Sequence, residues 1–254
     1  MLKFKENPEK GRRKIFIKKW LTIAGFGLTY QLVCMSNRIT STELSETKRK
    51  LVNAGVKLMR ARGYSATTVD DICADAGVTK GGFFHYFKSK DEIAQTALTH
   101  FHEAKVQDYE AAPFRQLADP LDRVFGRLDY VKESVGGKGQ VTKGCLIGVF
   151  AQELAFTNLE IRDVCQDFFA RIVRDVAQDL AEAKTVHAPD AKFDPKAVAQ
   201  FQLAIVQGSL LLAKIAGNND VVRDNIEQFR SYVKLLFGVD GAKPAAKSAD
   251  KSRN

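Results

Sequence analysis

The chain of 254 residues, 45% hydrophobic and 27% charged, has the length and balance of one or two globular domains with a sizeable core. Apolar residues recur at helical spacing and strand-like alternation is almost absent, which excludes a parallel α/β sheet and points to an all-α protein. The net charge of +9 is unevenly placed: residues 1–20 carry eight Lys/Arg against two acids, residues 38–90 ten against five, residues 238–254 four against two, and residues 91–237 seventeen against twenty-one. A basic N-terminal third on a mildly acidic body suits a molecule that offers one end to phosphate.

Residues 1–43 read as an N-terminal extension, either disordered or an over-long start. A basic stretch through Lys19 runs into an uncharged segment, Trp20 to Asn37, that has no small-x-small cleavage site for export. As a membrane helix it is weakened by Thr22, Gly25, Gly27, Thr29 and Gln31, and falls short of the roughly 20 apolar residues needed to span. The expectation is a true start at Met35, against a membrane anchor over residues 20–37 or an unstructured arm.

From Ser45 to Gly63 the pattern predicts an amphipathic helix, with Leu51, Ala54, Leu58 and Met59 on one face and Gly63 as its stop. Thr68 and Asp71 form a capping-box signal for a short helix through Ala76, and Gly77 forces a tight turn. Thr79 then caps a second short helix, Lys80 to Phe87, and Ser89 with Glu92 opens a long one towards Tyr109. Beyond Pro113, helices are expected over residues 120–135, 144–156, 159–186, 195–217 and 219–237, nine in all. The tail from Gly238, rich in Lys, Ala and Ser, reads as disordered. Cys34, Cys73, Cys145 and Cys165 show no C-x-x-C spacing and stand in apolar contexts, as reduced thiols do.

The stretch from Thr67 to Lys90 holds the chemistry. Val69, Ile72, Ala76, Val78, Phe83 and Phe87 can pack a helix, a turn and a second helix against the first helix. The second helix then faces outward with its N-terminal N–H groups towards any bound phosphate. Gly81 and Gly82 cost about 1 kcal/mol each against alanine inside a helix, and the compensation expected is close approach of backbone to a nucleic-acid strand. Phe83 and Phe87 read as core, and Lys88 as a solvated charge.

The run TKRKLVNAGVKLMRARGYSATTVDDICADAGVTKGGFFHYFKSKDEI closely resembles the DNA-binding domain of the TetR family of regulators. The likeness includes Gly63, Tyr64, Thr67 and Thr68, the Ala-Gly-Val-Thr turn, and the aromatic-rich end followed by Lys-Ser-Lys-Asp-Glu. It implies that Thr68, Thr79 and Lys90 contact phosphates, that Lys80, Gly81, Gly82, His85 and Tyr86 lie at or in the major groove, and that Thr67 and Phe84 also belong to the DNA-binding set. Two positions depart from the family pattern: Phe84 stands where tyrosine is usual, and Tyr86 where histidine is frequent. Phe84 has no hydroxyl for a phosphate, a role then open to His85 or Tyr86.

The fold expected is thus an N-terminal three-helix helix-turn-helix DNA-binding domain over residues 44–104, then a C-terminal helical ligand-binding and dimerisation domain over residues 105–237. A local likeness around Lys143-Gly144-Cys145-Leu146 is to members that answer electrophiles or oxidants. Candidate effector-site residues are Phe125, Tyr130, Cys145, Phe150, Phe156 and Phe169, each with plain core packing as the alternative, and Cys165 could resolve an oxidised Cys145. The helices over 195–217 and 219–237 carry small residues among apolar bulk, and the resemblance implies a homodimer through them. Partners expected are a double-stranded DNA operator and a small-molecule or electrophile effector, in the cytoplasm, with no membrane. An enzyme is disfavoured: His100 and His102 point to different helix faces, and no H-E-x-x-H, G-x-S-x-G or phosphate loop occurs. No cofactor or metal is expected.

Overall fold

The computed structural model describes residues 44–140 and 144–239. The expectations for residues 1–43, the Met35 start and the anchor over 20–37 among them, and for the tail beyond residue 239 lie outside the described residues. The described residues form nine α-helices and no strand.

Local rules set the first four helices. Ser45 opens α1 (Glu46–Arg62) by accepting the Lys48 N–H, and Gly63, at φ 96°, ends it. Thr68 and Asp71 exchange hydrogen bonds at the start of α2 (Val69–Ala76): the Asp71 N–H donates to Thr68 Oγ1 at 3.1 Å and the Thr68 N–H to Asp71 at 2.9 Å. Gly77, left-handed at φ 63°, turns the chain towards Thr79, which caps α3 (Lys80–Tyr86). Ser89 caps α4 (Lys90–Glu110), but the Glu92 carboxylate accepts the Lys88 N–H at 2.7 Å, one residue outside a reciprocal box.

A 3₁₀ turn over Pro113–Gln116, not foreseen from the sequence, leads to α5 (Pro120–Ser134), α6 (Leu146–Leu154), α7 (Leu159–His187), α8 (Pro195–Ala216) and α9 (Asp220–Phe237). These bounds lie within two residues of the expected ones. Helix ends fray, so such differences carry no argument.

Two apolar clusters hold these helices together. The first joins α1–α4 to α6 and the start of α7, through Leu51, Met59, Ile72, Phe83, Phe87, Ile93, Leu146, Phe150 and Ile161. The second joins α5, the rest of α7, α8 and α9, through Leu128, Val176, Leu180, Val198, Phe229 and Val233. With 29 residues, about 43 Å at 1.5 Å per residue, α7 is long enough to serve both. The division drawn at residues 104/105 falls inside α4, which runs through it unbroken.

Polar links also join α6 and its neighbours to the first helices. The Glu153 carboxylate accepts the N–H groups of Tyr64 (3.2 Å) and Ser65 (2.8 Å), and Arg60 Nη2 donates to the Gly144 carbonyl at 2.8 Å. Gln95 on α4 donates to Glu160 on α7 at 2.9 Å.

Candidate nucleic-acid interface

The candidate surface is built on the α2–turn–α3 unit. Ile72, Phe83 and Phe87 are buried beneath it, and Val69, Ala76 and Val78 pack on them half-buried. This leaves Lys80, Gly81, Phe84 and His85 on the outside, with Phe84 51% exposed. Tyr86 is half-buried against the first cluster, its ring edge-on to His85 at 4.8 Å. Phe84 likewise sits edge-on to Phe83 at 5.2 Å, so one ring anchors and the other is presented.

The two glycines have separate reasons. A Cβ on Gly82 would stand 2.8 Å from Val78 Cγ1, so this glycine lets α3 fold back onto its own turn. A Cβ on Gly81 would meet only Thr79 Oγ1 at 4.0 Å, so Gly81 is bare for an outside reason or none within the chain. The expectation of close nucleic-acid approach therefore survives for Gly81, while Gly82 is explained by packing.

Thr67 needs a correction. It is fully buried, and its hydroxyl donates to the Gly63 carbonyl at 2.7 Å, closing the loop between α1 and α2. It thus positions Thr68, which is exposed, and does not itself stand on the surface. Lys90 is half-buried; its ammonium lies 4.0 Å from the Tyr64 ring centroid and donates to the Tyr64 carbonyl at 3.2 Å. An ammonium has three donors, so two remain for another acceptor.

The basic end is less bare than its composition suggests. All three α2 carboxylates are paired: Asp70 with Lys80 at 2.9 Å, Asp71 with Arg62 at 2.6 Å, and Asp75 with Lys57. The Thr68 hydroxyl and N–H, then Arg62, hold the Asp71 carboxyl down at about 2. Asp70 raises the Lys80 ammonium above its ordinary value, so Lys80 stays charged and can be handed from Asp70 to a competing anion.

The six effector-site candidates do not converge. Phe150 is fully buried, edge-on to Tyr64 at 6.2 Å, and Phe169 packs half-buried on the same cluster. Phe125 belongs to the second cluster, under the Arg230 guanidinium at 5.6 Å. Tyr130 stacks with Tyr109 and Phe114. Phe156, in the link between α6 and α7, is 99% exposed and packs in neither cluster.

Cys145 caps α6, its Sγ accepting the Gly148 N–H at 3.4 Å. It lines a cleft of about 310 Å³ that also touches Gly63, Gly148, Glu153, Gln207 and Lys214, and no other effector candidate reaches it. Cys165 is buried, donates to the Ile147 carbonyl at 3.6 Å, and burial pushes its thiol up to about 11. A thiol held protonated is a poor partner for exchange with Cys145. Sequence reasoning missed the cleft because its walls come from α1, α6 and α8, which only packing brings together.

Comparison with known proteins gives two family matches. Residues 51–97 match "Bacterial regulatory proteins, tetR family", and residues 120–228 match "Transcriptional regulator LmrA/YxaF-like, C-terminal domain". The chain is 28% identical over 193 residues to the HTH-type transcriptional repressor DhaR of Mycobacterium sp. (strain GP1), covering 73% of this chain and 89% of that protein. It is 29% identical over 180 residues to the transcriptional regulator AcuR of Cereibacter sphaeroides, covering 68% and 78%. In fold it is similar to a regulatory protein TetR from Rhodobacter sphaeroides, with TM-score 0.64 at 24% identity over 74% of this chain and 99% of that one. It is similar also to the reduced form of NemR from E. coli, with TM-score 0.60 at 23% identity over 76% and 98%.

Proposed function

The chain belongs to the TetR family of bacterial transcriptional regulators, and from that membership we propose that it is a homodimeric repressor, released from a near-palindromic operator by a small-molecule or electrophile effector. The observation that carries this reading is the outward surface of α3, with Lys80, Gly81, Phe84 and His85 exposed above a fully buried Phe83. In it, Lys80, Gly81, Phe84, His85 and the exposed edge of Tyr86 enter the major groove, while Thr68, Thr79 and Lys90 hold phosphates. Lys80 exchanges Asp70 for an acceptor in the groove as it docks.

The dimer forms through α8 and α9, which together leave Phe201, Leu212, Ile215, Tyr232 and Leu235 exposed. Such a row of apolar side chains is costly in water and suits a second copy. Pro195–Ala216 is also the one helix among the described residues long and apolar enough to cross a membrane. Its buried Gln202 and Ser209, the latter accepting from Asn225 at 2.9 Å, suit a helix packed in protein in the cytoplasm. For an electrophile the candidate acceptor is Cys145, at the cleft that touches Gly63.

The test is DNA binding against salt. Lys90→Ala should weaken all sequences alike and flatten the slope of log affinity against log salt by about two per dimer. His85→Ala should instead change which base pairs are preferred, by about 1–3 kcal/mol at each base pair it reads. An unchanged salt slope in the first variant, or uniform weakening in the second, would remove α3 from the groove.

A further inference from the structure

Where the end of α4 meets α5, two hydrogen-bonding side chains are buried with capacity left over. Arg127, on α5, is 2% exposed. Its Nη2 donates to the Asp179 carboxylate and to the Asp175 carbonyl at 3.4 Å, yet Nε and Nη1 have no partner among the described residues. The Tyr109 hydroxyl, near the end of α4, is buried and equally without a partner. The two belong to one aromatic box: the guanidinium carbon lies 4.8 Å from the Tyr109 ring centroid and 5.0 Å from that of Phe114, and Tyr130 packs on both rings at 6.1 and 5.6 Å.

Buried polar groups are almost always hydrogen-bonded, and a cation taken out of water needs acceptors on every side. Asp179 does not meet that need alone. Its other oxygen is taken by Arg123 Nε at 3.2 Å, so two guanidiniums face this one carboxylate. Glu182, the second partner of Arg123, is 45% exposed and carries its charge into solvent. Asp175 also acts on Arg127, Asp108 acts on Tyr130, and the Arg115 guanidinium lies 5.2 Å from the Tyr109 ring centroid, so the box is mixed in charge, with two spare N–H donors and a spare hydroxyl beside its aromatic rings.

We propose that this box binds a small carboxylate, whose oxygens accept from Arg127 and from the Tyr109 hydroxyl while its apolar body lies against Tyr109, Phe114 and Tyr130. A carboxylate is the fitting class because it only accepts, with room for several donors, and gains from the guanidinium charge. The proposal rests on the effector reading above and gives that effector its chemistry. Tyr109 lies on α4, nineteen residues or about 28 Å from Lys90 at the helix's other end, so the occupant bears on a helix that reaches the DNA-binding unit.

The test is isothermal titration of the full chain with benzoate, phenylacetate and hexanoate, each beside its neutral amide. At least one carboxylate should bind saturably, one per chain, with its amide weaker by about tenfold or more. Tyr109→Phe keeps the ring and removes the hydroxyl; Arg127→Lys keeps a charge for Asp179 and removes the spare guanidinium donors. Each should weaken the carboxylate about fivefold or more, with the amide unaffected and the circular dichroism spectrum retained. No binding by any of the three acids, equal binding of acid and amide, or wild-type affinity in both variants would overturn the site. Fluorescence anisotropy with DNA flanking the gene separates this from the broader reading. A carboxylate that binds through Arg127 yet leaves DNA affinity unchanged supports the site and counts against effector release. DNA released by an amide when no acid binds overturns the site and leaves release standing.

Discussion

The helices of residues 46–110 start on hydroxyl side chains, Ser45, Thr68, Thr79 and Ser89, each accepting a backbone N–H three residues on. Those of residues 120–237 start on Asp119, Cys145, Asn158, Asp194 and Asn219. Carboxylate and amide caps serve as well as hydroxyls in stability, and of these five only Asp119 and Asp194 bring a charge to the helix start. Among the first four helices only α3 has no acidic residue in its first turn, so its positive end alone is left unopposed, as a surface meant for phosphate requires. The C-terminal half, free of that demand, also ties its helices with charged groups far apart in sequence, such as Arg123 with Asp179 and Lys132 with Glu227. One half is organised by short-range rules and the other by long-range pairs.

The largest test of that contrast is Phe150, which α6 buries in the N-terminal cluster. Phe150→Ala should cost about 3–5 kcal/mol. A single unfolding transition by near- and far-UV circular dichroism would show that α1–α4 lean on α6, whereas two separate transitions would make them self-sufficient. Ile215, 79% exposed on α8, tests the other half. In the proposed dimer Ile215→Asp buries an unpaired charge and should weaken association by about 2–4 kcal/mol, read by sedimentation velocity. An unaltered dimer would place the interface elsewhere.

Thr68→Ala removes one hydroxyl cap and should cost about 1 kcal/mol. It should also let the Asp71 carboxyl rise from about 2 towards its ordinary 3.8, because the Thr68 hydroxyl is the main group holding it down. The sign follows: a depressed carboxylate stabilises the fold above about pH 4, and that contribution is lost as pH falls towards 2. Carboxyl NMR titration reads both, and an Asp71 that already titrates near 4 in the native chain would dissolve the box. The smallest effect is expected at the junction. Glu153→Gln weakens acceptance from Tyr64 and Ser65, about 1 kcal/mol or less. Hydrogen exchange should quicken at those two amides with little change in melting temperature, and unchanged exchange would mean that the link is idle.

The helix-turn-helix unit was legible because its signals act within three or four residues. Thr68 with Asp71, Gly77 and Thr79 each perform in the structure the task their spacing announces. Ser89 shows the limit of such reading, since Glu92 turns to the Lys88 amide and leaves the box half made. The paired glycines show a further limit. Both look alike in sequence, but Gly82 is required by Val78 and Gly81 is not. Thr67 and Thr68 are adjacent and chemically identical, yet one closes a buried loop and the other stands in solvent.

Helix number and order, the caps and the register of the helix-turn-helix were determined by the sequence alone, because capping, glycine stops and 3.6-residue periodicity are local properties. Tertiary structure decided the rest. Glu153 reaches residues 88 and 89 positions away, Arg127 meets Asp179 across 52, and the cleft at Cys145 exists only where α1, α6 and α8 pack. Aromatic residues at helical spacing cannot announce whether they will be core, as Phe150 is, or fully exposed, as Phe156 is. That outcome depends on which neighbouring helix covers them, and the crossing of distant helices is set by the packing of whole faces, with no counterpart in any short window of sequence.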